Sequence, residues 1–280
     1  MFAPNKTSLG LLTAVSLVTA GAARAQDINH LEDRYQFVLS GAAVHLGSKL
    51  RVDGDNTEGT LIDIEKILGL KDTRFQPRVA FTWSFARKHE IEIGYQWVRR
   101  DAEHVLTRDI VFRDSTYHAG AAVNTTFNSD QLFGTYRWAF SVSDRSEYGL
   151  SVGFGALFID MGIAALAAVN NKSVLYVREK TVTEPSGSLG LYGKWRIGGN
   201  SYLGGDARGI KVAAGDFDAT VWEGNLDYRY YFGRNWGGEV GWGISDYHVD
   251  ITQTNSSGGD RLTQLRYSLA NWRLGLVVSM

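Results

Sequence analysis

The segment Val221–Phe232 reads Val-Trp-Glu-Gly-Asn-Leu-Asp-Tyr-Arg-Tyr-Tyr-Phe. Alternate residues of a strand point to opposite faces. One face of this strand carries Trp222, Leu226, Tyr228, Tyr230 and Phe232, and the other carries Glu223, Asn225, Asp227 and Arg229. A chain that repeats this pattern needs an apolar medium for one face and a polar one for the other.

The pattern recurs along the chain. Tyr35, Phe37, Leu39, Gly41 and Ala43 share a face. Val79, Phe81, Trp83 and Phe85 oppose Arg78, Ala80, Thr82 and Ser84, with Pro77 at the start of the strand, where a missing donor is tolerated. Ile91, Ile93, Tyr95 and Trp97 oppose Glu90, Glu92, Gly94 and Gln96. Further alternating runs cover Asp130–Phe140, Tyr148–Phe158, Leu189–Ile197, Tyr202–Val212, Trp236–Thr254 and Arg261–Met280.

Short polar turns fall at Ala86–His89, Ser143–Glu147, Gly198–Ser201 and Gly233–Asn235. The connections between them are mostly long: an acidic turn-rich stretch from Asp53 to Gly59, a polar projecting hairpin up to Asn128, a loop within Asn170–Ser188, and a loop at Asn255–Gly259. Gly215–Asp218 is tighter. Four short turns and five hairpins predict ten strands, and this short/long alternation is that of transmembrane barrels. The stretches Thr60–Glu65 and Val105–Val123 leave eight or twelve strands open, and Ile64–Leu70 fits either a strand extension or one helical turn.

Composition supports this reading. Glycine is abundant at 32 and proline scarce at 3, and 12% of residues are aromatic, as expected of many short strands. A formal net charge of −1 gives no electrostatic case for nucleic acid. With no cysteine there is no disulfide or thiolate chemistry. Lys6, the apolar run Leu9–Ala20 and Ala23-Arg24-Ala25 predict a cleaved signal peptide over residues 1–25, with a single barrel domain over 26–280. No later apolar run approaches the ~20 residues of a spanning helix.

The aromatic face decides between soluble and membrane barrels. Ten strands cannot pack that many rings inside, and in water the exposed band would far exceed the few hundred Å2 a soluble monomer shows. Lipid on the outside resolves this, and closure satisfies every backbone group. Trp83, Phe85, Trp138, Phe140, Tyr148, Trp195, Tyr202, Tyr230, Phe232 and Trp236 cluster near the short turns as an interfacial girdle. The inward set then holds the acids Glu90, Glu92, Asp206, Glu223, Asp227 and Glu239 and the bases Arg78, Arg137, Lys194, Arg196, Arg208, Arg229 and Arg273. In a narrow lumen these charges form either a plug of ion pairs or the wall of a polar conduit.

With its signal peptide, alternating strands and terminal strand, the chain resembles the small outer-membrane barrels of Gram-negative bacteria, the broad OmpX/OmpW-like group, from about Tyr35 to Met280. The segment Gly59–Leu70 is similar to one recurring in such barrels, whereas the terminal Met280 stands where they usually carry Phe. The resemblance implies the outer membrane as location and lipid, lipopolysaccharide and the barrel-assembly machinery as partners of a monomer. It implies a structural or surface-interaction role, with a narrow passive channel as a variant.

The alternative is a protease- or acyl-hydrolase-type enzyme at the outer rim. For it, Asp246-x-His248 is the candidate acid/base pair and Ser129, Ser173 and Ser268 are candidate nucleophiles. None of His30, His45, His89, His104, His118 and His248 lies in a metal motif. Asp53, Asp55 and Thr57 mimic the start of a calcium loop but lack its glycine, replaced by Glu58, and its final Glu, replaced by Ile64. No cofactor, metal or catalytic set is expected. The Asn-x-Ser/Thr triplets at Asn124, Asn171 and Asn255 read as incidental.

Overall fold

A computed structural model describes residues 29–55, 57–169, 172–254 and 260–280, with the backbone alone at 166–169, 172–180, 182, 184–186, 214 and 260. The expected signal peptide, the loop at 255–259 and the triplets' Asn171 and Asn255 lie outside the described residues.

Ten long strands run in order: β1 (Tyr35–Val52), β2 (Thr73–Ala86), β3 (His89–Val105), β4 (Ala122–Val142), β5 (Ser146–Val169), β6 (Lys172–Gly198), β7 (Ser201–Ala214), β8 (Phe217–Tyr231), β9 (Trp236–Thr254) and β10 (Asp260–Ser279). Each pairs antiparallel with the next, and β10 returns to β1 in unbroken register from Gln36↔Ser279 to Val52↔Thr263. The chain is a transmembrane antiparallel β-barrel. Closure removes the two edges an open sheet would present. The chain ends are zipped by Tyr35 N–H to the Met280 carbonyl at 2.9 Å and Met280 N–H to the Tyr35 carbonyl at 2.8 Å.

The four short turns lie at the end of the barrel where Tyr35 meets Met280. Register shifts at Ser84/Ala86, Ala139/Ser141 and Ser201/Tyr202 sit beside three of them, where bulges let the sheet bend into its turns. At the other end Gly215 takes φ 58° in the β7–β8 turn, a conformation that suits glycine.

One connection differs from expectation. The long loop expected within Asn170–Ser188 is instead ladder: β5 and β6 stay paired from Ser146↔Trp195 up to Val169↔Lys172. Alternating Ser/Thr/Val chemistry fits a strand whose outer face meets water as readily as it fits a loop.

The stretch at 60–70 is both strand and helix. Ile62 and Asp63 pair with Leu50 and Lys49. The helix α1 (Ile64–Leu68) follows, capped by the Asp63 carboxylate, which accepts from Lys66 N–H at 3.1 Å, and ended by Gly69 at φ 71°. Its Ile64, Ile67 and Leu68 are buried. The stretch between β3 and β4 adds a small hairpin, Ile110–Phe112 with Ser115–Tyr117.

Polarity exchanges faces part-way up the barrel. Near the short turns the outward face is apolar, with Phe37, Leu39, Trp138, Phe154, Trp272, Leu274 and Phe232 exposed. The segment Trp222–Phe232, at about 3.3 Å per residue and a tilt of about 40°, gives this band a height of about 25 Å, a hydrocarbon thickness. The outward face then turns polar on strand after strand: Ala43 to His45, Trp97 to Arg99, Leu132 to Asp130, Phe158 to Asp160, Ile244 to Asp246 and Ala270 to Ser268. Arg99 grips Asp130 through two contacts of 2.5 and 2.9 Å in this collar.

The inward face changes at the same level and in the opposite sense. Above the charges the barrel is filled by Val44, Leu46, Leu50, Val98, Phe127, Leu157, Ile159, Ile163, Val221, Val249, Leu265 and Leu269, which pack with α1 and with Ile110 and Phe112. The lumen is therefore not polar throughout, as the charged inward set alone implies. Beyond the bilayer the barrel has the inside of a soluble protein, and each fully buried Leu or Ile there contributes about 1.5–3 kcal/mol.

Candidate functional site in the lumen

The lumen charges stand within the membrane band because the strands alternate there without interruption. Glu90 and Glu92 project from β3, Arg78 from β2 and Arg137 from β4. Arg137 donates to Glu90 at 2.5 Å and to Glu92 at 3.0 Å, and Arg78 donates to Glu92 at 2.7 Å. Lys194 reaches Glu90 from β6.

A second group lies opposite. Arg229 meets Asp227 at 3.2 Å and Glu239 at 2.9 Å, while Arg273 donates to Glu239 at 3.1 Å. Arg208 joins Asp206 at 3.1 Å to Glu223 at 2.9 Å. Cross-lumen bonds tie these groups to distant strands: Arg229 on β8 to Gln36 on β1 at 2.9 Å, and Arg208 on β7 to Thr135 on β4.

Two glycines make room for the crossing arginines. A Cβ at Gly153 would lie 2.2 Å from Ser188 Oγ and 3.2 Å from an Arg208 nitrogen, and one at Gly241 would lie 2.5 Å from Arg273 Nε. Desolvating so many charges is costly, and what offsets it is that Glu90, Glu92 and Glu239 each engage two cations.

Twelve of the thirteen expected lumen charges are seen to meet an opposite charge within the barrel. Arg196 also binds the turn: its Nε and Nη2 donate to the Gly199 carbonyl at 3.2 and 3.1 Å. It lies two residues nearer the turn than Lys194, within reach of the turn's own carbonyl.

Layers above and below complete the filling. Above, Gln96 donates to Gln131 at 2.5 Å, Gln131 to the Tyr247 hydroxyl at 2.6 Å, and that hydroxyl to Glu223 at 2.7 Å. Below, at the short-turn mouth, His30 is buried and stacks on Tyr231 with ring centroids 3.6 Å apart. His30 N–H donates to the Tyr202 hydroxyl at 3.0 Å, and the His30 carbonyl accepts from Gln36 at 3.3 Å; Tyr202, expected in the outward girdle, is instead buried inside, because it shares the inward parity of Asp206 and Arg208. A polar cavity of about 120 Å3 remains among the charges, its lining reaching from His30 at the mouth past Arg78 and Asp227 to Gln96 and Gln131. That is room for a few waters.

A further buried pair was not among the expected residues. Arg100, on β3, is 1% exposed. It donates to Glu65 of α1 at 2.5 Å and to Ser48 Oγ at 2.8 Å, and lies 4.5 Å over the Phe127 ring. Glu65 also accepts from Ser48 N–H at 2.9 Å. These bonds fasten the helix inside the barrel. Arg100 keeps the inward parity of Glu90 and Glu92, so alternation carried one turn further along β3 points to it. Nothing local to Glu65 names its partner.

The rim candidates lie apart. Asp246 and His248 are both on the outward face of β9, and His248 contacts Asp250 at 3.8 Å. Ser268 donates to the Gly47 carbonyl at 3.2 Å, and Ser129 is buried against the Tyr267 hydroxyl at 2.7 Å. Ser173 lies where only backbone is described. Asp53 serves as a clasp: it takes Arg51 at 2.8 Å, Gly59 N–H at 2.8 Å and Leu262 N–H at 3.1 Å. Burial pushes its carboxyl up, but Arg51 and the two N–H groups outweigh this and hold it below the usual carboxylate range.

A closed antiparallel barrel with a lipid-facing aromatic band and a filled polar lumen is the fold of outer-membrane β-barrel proteins. Among solved structures, the chain is similar to the outer membrane protease OmpT from Escherichia coli, with a TM-score of 0.55 and 9% identity, covering 89% of this chain and 97% of that one. The transport unit of the autotransporter AIDA-I from Escherichia coli matches at a TM-score of 0.42 and 7% identity, covering 96% and 97%. Ail, the attachment invasion locus protein of Yersinia pestis, matches at 0.34 and 9%, covering 89% and 99%. At such identities the likeness is one of fold alone, and these structures do not single out the OmpX/OmpW group. No family model and no curated protein matches the sequence.

Proposed function

We propose that this protein is a closed barrel of the bacterial outer membrane with a structural and surface-interaction role, rather than a conduit. The observation that carries this reading is the filling of the lumen at three levels: the His30–Tyr231 stack at the mouth, the paired charges in the band, and the apolar core with α1 above. A solute would have to displace all three. On this reading the termini and short turns face the periplasm, after export by a cleaved signal peptide. The tall β5–β6 hairpin and the hairpin between β3 and β4 stand outside as the display surface. Lipopolysaccharide meets the polar collar that begins at His45, Arg99 and Asp160.

The rim-enzyme alternative draws no support from placement. Asp246 and His248 face away from the lumen, and the protease OmpT lends no residue role at 9% identity.

Orientation and location are tested by cysteine labelling, which the absence of native cysteine makes clean. With Thr116→Cys, intact cells should react with a membrane-impermeant maleimide. With Arg145→Cys, cells should react only after the outer membrane is permeabilised. The reverse pattern, or no labelling of either in intact cells, overturns the reading.

A further inference from the structure

The short-turn rim contains a second cavity, of about 420 Å3, at the outer edge of the barrel mouth. Its walls come from the residues before β1, the β2–β3 turn and the β4–β5 turn. That volume is in the range of small-ligand sites. Its charges are of both signs. Arg34 and Arg87 supply two cations, and both are exposed. Three acids also line it: Glu32, Glu90 and Glu147.

Glu90 is already matched by Arg137 and Lys194. Glu147 gives one oxygen to the Tyr192 hydroxyl at 2.5 Å, and a carboxylate can accept more than one bond. Glu32 is exposed and takes a long 3.4 Å bond from Asn29. Among the described residues the cavity's own balance is therefore two cations against two carboxylates. Ser84 and Ser143 add hydroxyls, and Leu31, Phe85, Ala86 and Val142 add apolar wall. Phe85, 41% exposed, belongs at once to this cavity and to the lipid-facing band, where it packs 5.4 Å from Trp83.

We propose that this cavity binds the zwitterionic headgroup of an aminophospholipid. The phosphate lies with Arg34 and Arg87, the ammonium lies with Glu32 and Glu147, and the acyl chains run along Phe85 and Trp83. A zwitterion suits the wall better than a simple anion or cation, because either of those leaves one pair of like charges unmatched at a partly desolvated site. The continuity with the lipid-facing band selects a lipid over a water-soluble ligand, since the headgroup's tails need an apolar surface beside the pocket.

The test is native mass spectrometry of the refolded protein in detergent with equimolar phosphatidylethanolamine, phosphatidylglycerol and phosphatidylcholine, folding being checked by heat-modifiable gel mobility. The wild type should retain one phosphatidylethanolamine in preference to the other two. Arg34→Gln with Arg87→Gln should lower that retention about tenfold, as expected for loss of charge-assisted bonds. Glu32→Gln, at an exposed position, should shift the preference toward phosphatidylglycerol. Equal retention of the three lipids, indifference to the arginine pair, or tighter binding of a soluble peptidoglycan fragment than of any lipid would overturn the proposal.

Discussion

Glu92 stands between Arg78 at 2.7 Å and Arg137 at 3.0 Å, and 8% of its surface is exposed. Removing one partner of a buried charge cluster leaves the others uncompensated, which costs about 3–5 kcal/mol. Glu92→Gln should therefore lower the guanidinium midpoint of the barrel in micelles, followed by tryptophan fluorescence. An unchanged midpoint would mean that water already screens this layer. The charges were legible because β3 alternates without a break from Glu90 to Gln96. Their pairing was not, because Lys194 and Glu90 are 104 positions apart and meet only when the barrel closes. Parity puts Arg196 on the face of Lys194, but it does not foretell that Arg196 also donates to the Gly199 turn carbonyl.

At the scale of elements, the helix α1 combines apolar packing of Ile64, Ile67 and Leu68 with one buried ion pair, Arg100 with Glu65 at 2.5 Å, while Lys66 beside it is 83% exposed. Arg100→Gln or Glu65→Gln should free the helix, so that trypsin cuts at Lys66 while the barrel remains folded. Equal cutting in wild type and variants would show that apolar packing alone holds it.

The Asp53 clasp joins the stretch after β1 to β10 through Gly59 and Leu262. Its folded pKa is depressed, so its contribution is present above the unfolded value of about 4 and is lost as pH falls through the folded value. Protection of the Gly59 and Leu262 amides from hydrogen exchange, corrected for intrinsic rates, should drop over that acid window in the wild type. In Asp53→Asn it should be low already at neutral pH. The sequence offers Asp53 as a poor calcium position, and the backbone donors that explain it come from 6 and 209 residues away. The β5–β6 ladder was equally hard to see: alternation sorts residues into two faces but does not separate a water-facing strand from a loop.

For the whole molecule, closure and the lipid-facing face follow from alternation and from the spacing of the short turns, which point to ten strands but leave eight or twelve open at Thr60–Glu65 and Val105–Val123. The exchange of polarity along each strand does not, because the medium each face meets changes at the membrane surface. Val44 and Leu46 of β1 point inward on the same parity as Ser40, yet they belong to a core. On the proposed reading, that exchange seals a charged, narrow barrel, with paired charges in the membrane and an apolar core above.

Single-channel recording of the refolded protein in a planar bilayer addresses that seal most directly, once heat-modifiable mobility has confirmed folding. A filled lumen predicts insertion without conductance steps, in the wild type and in Glu65→Gln alike, because the charged layer and the His30 mouth remain. Steady, reproducible steps in the wild type would contradict it, and would mean that the three layers part to leave a continuous aqueous path.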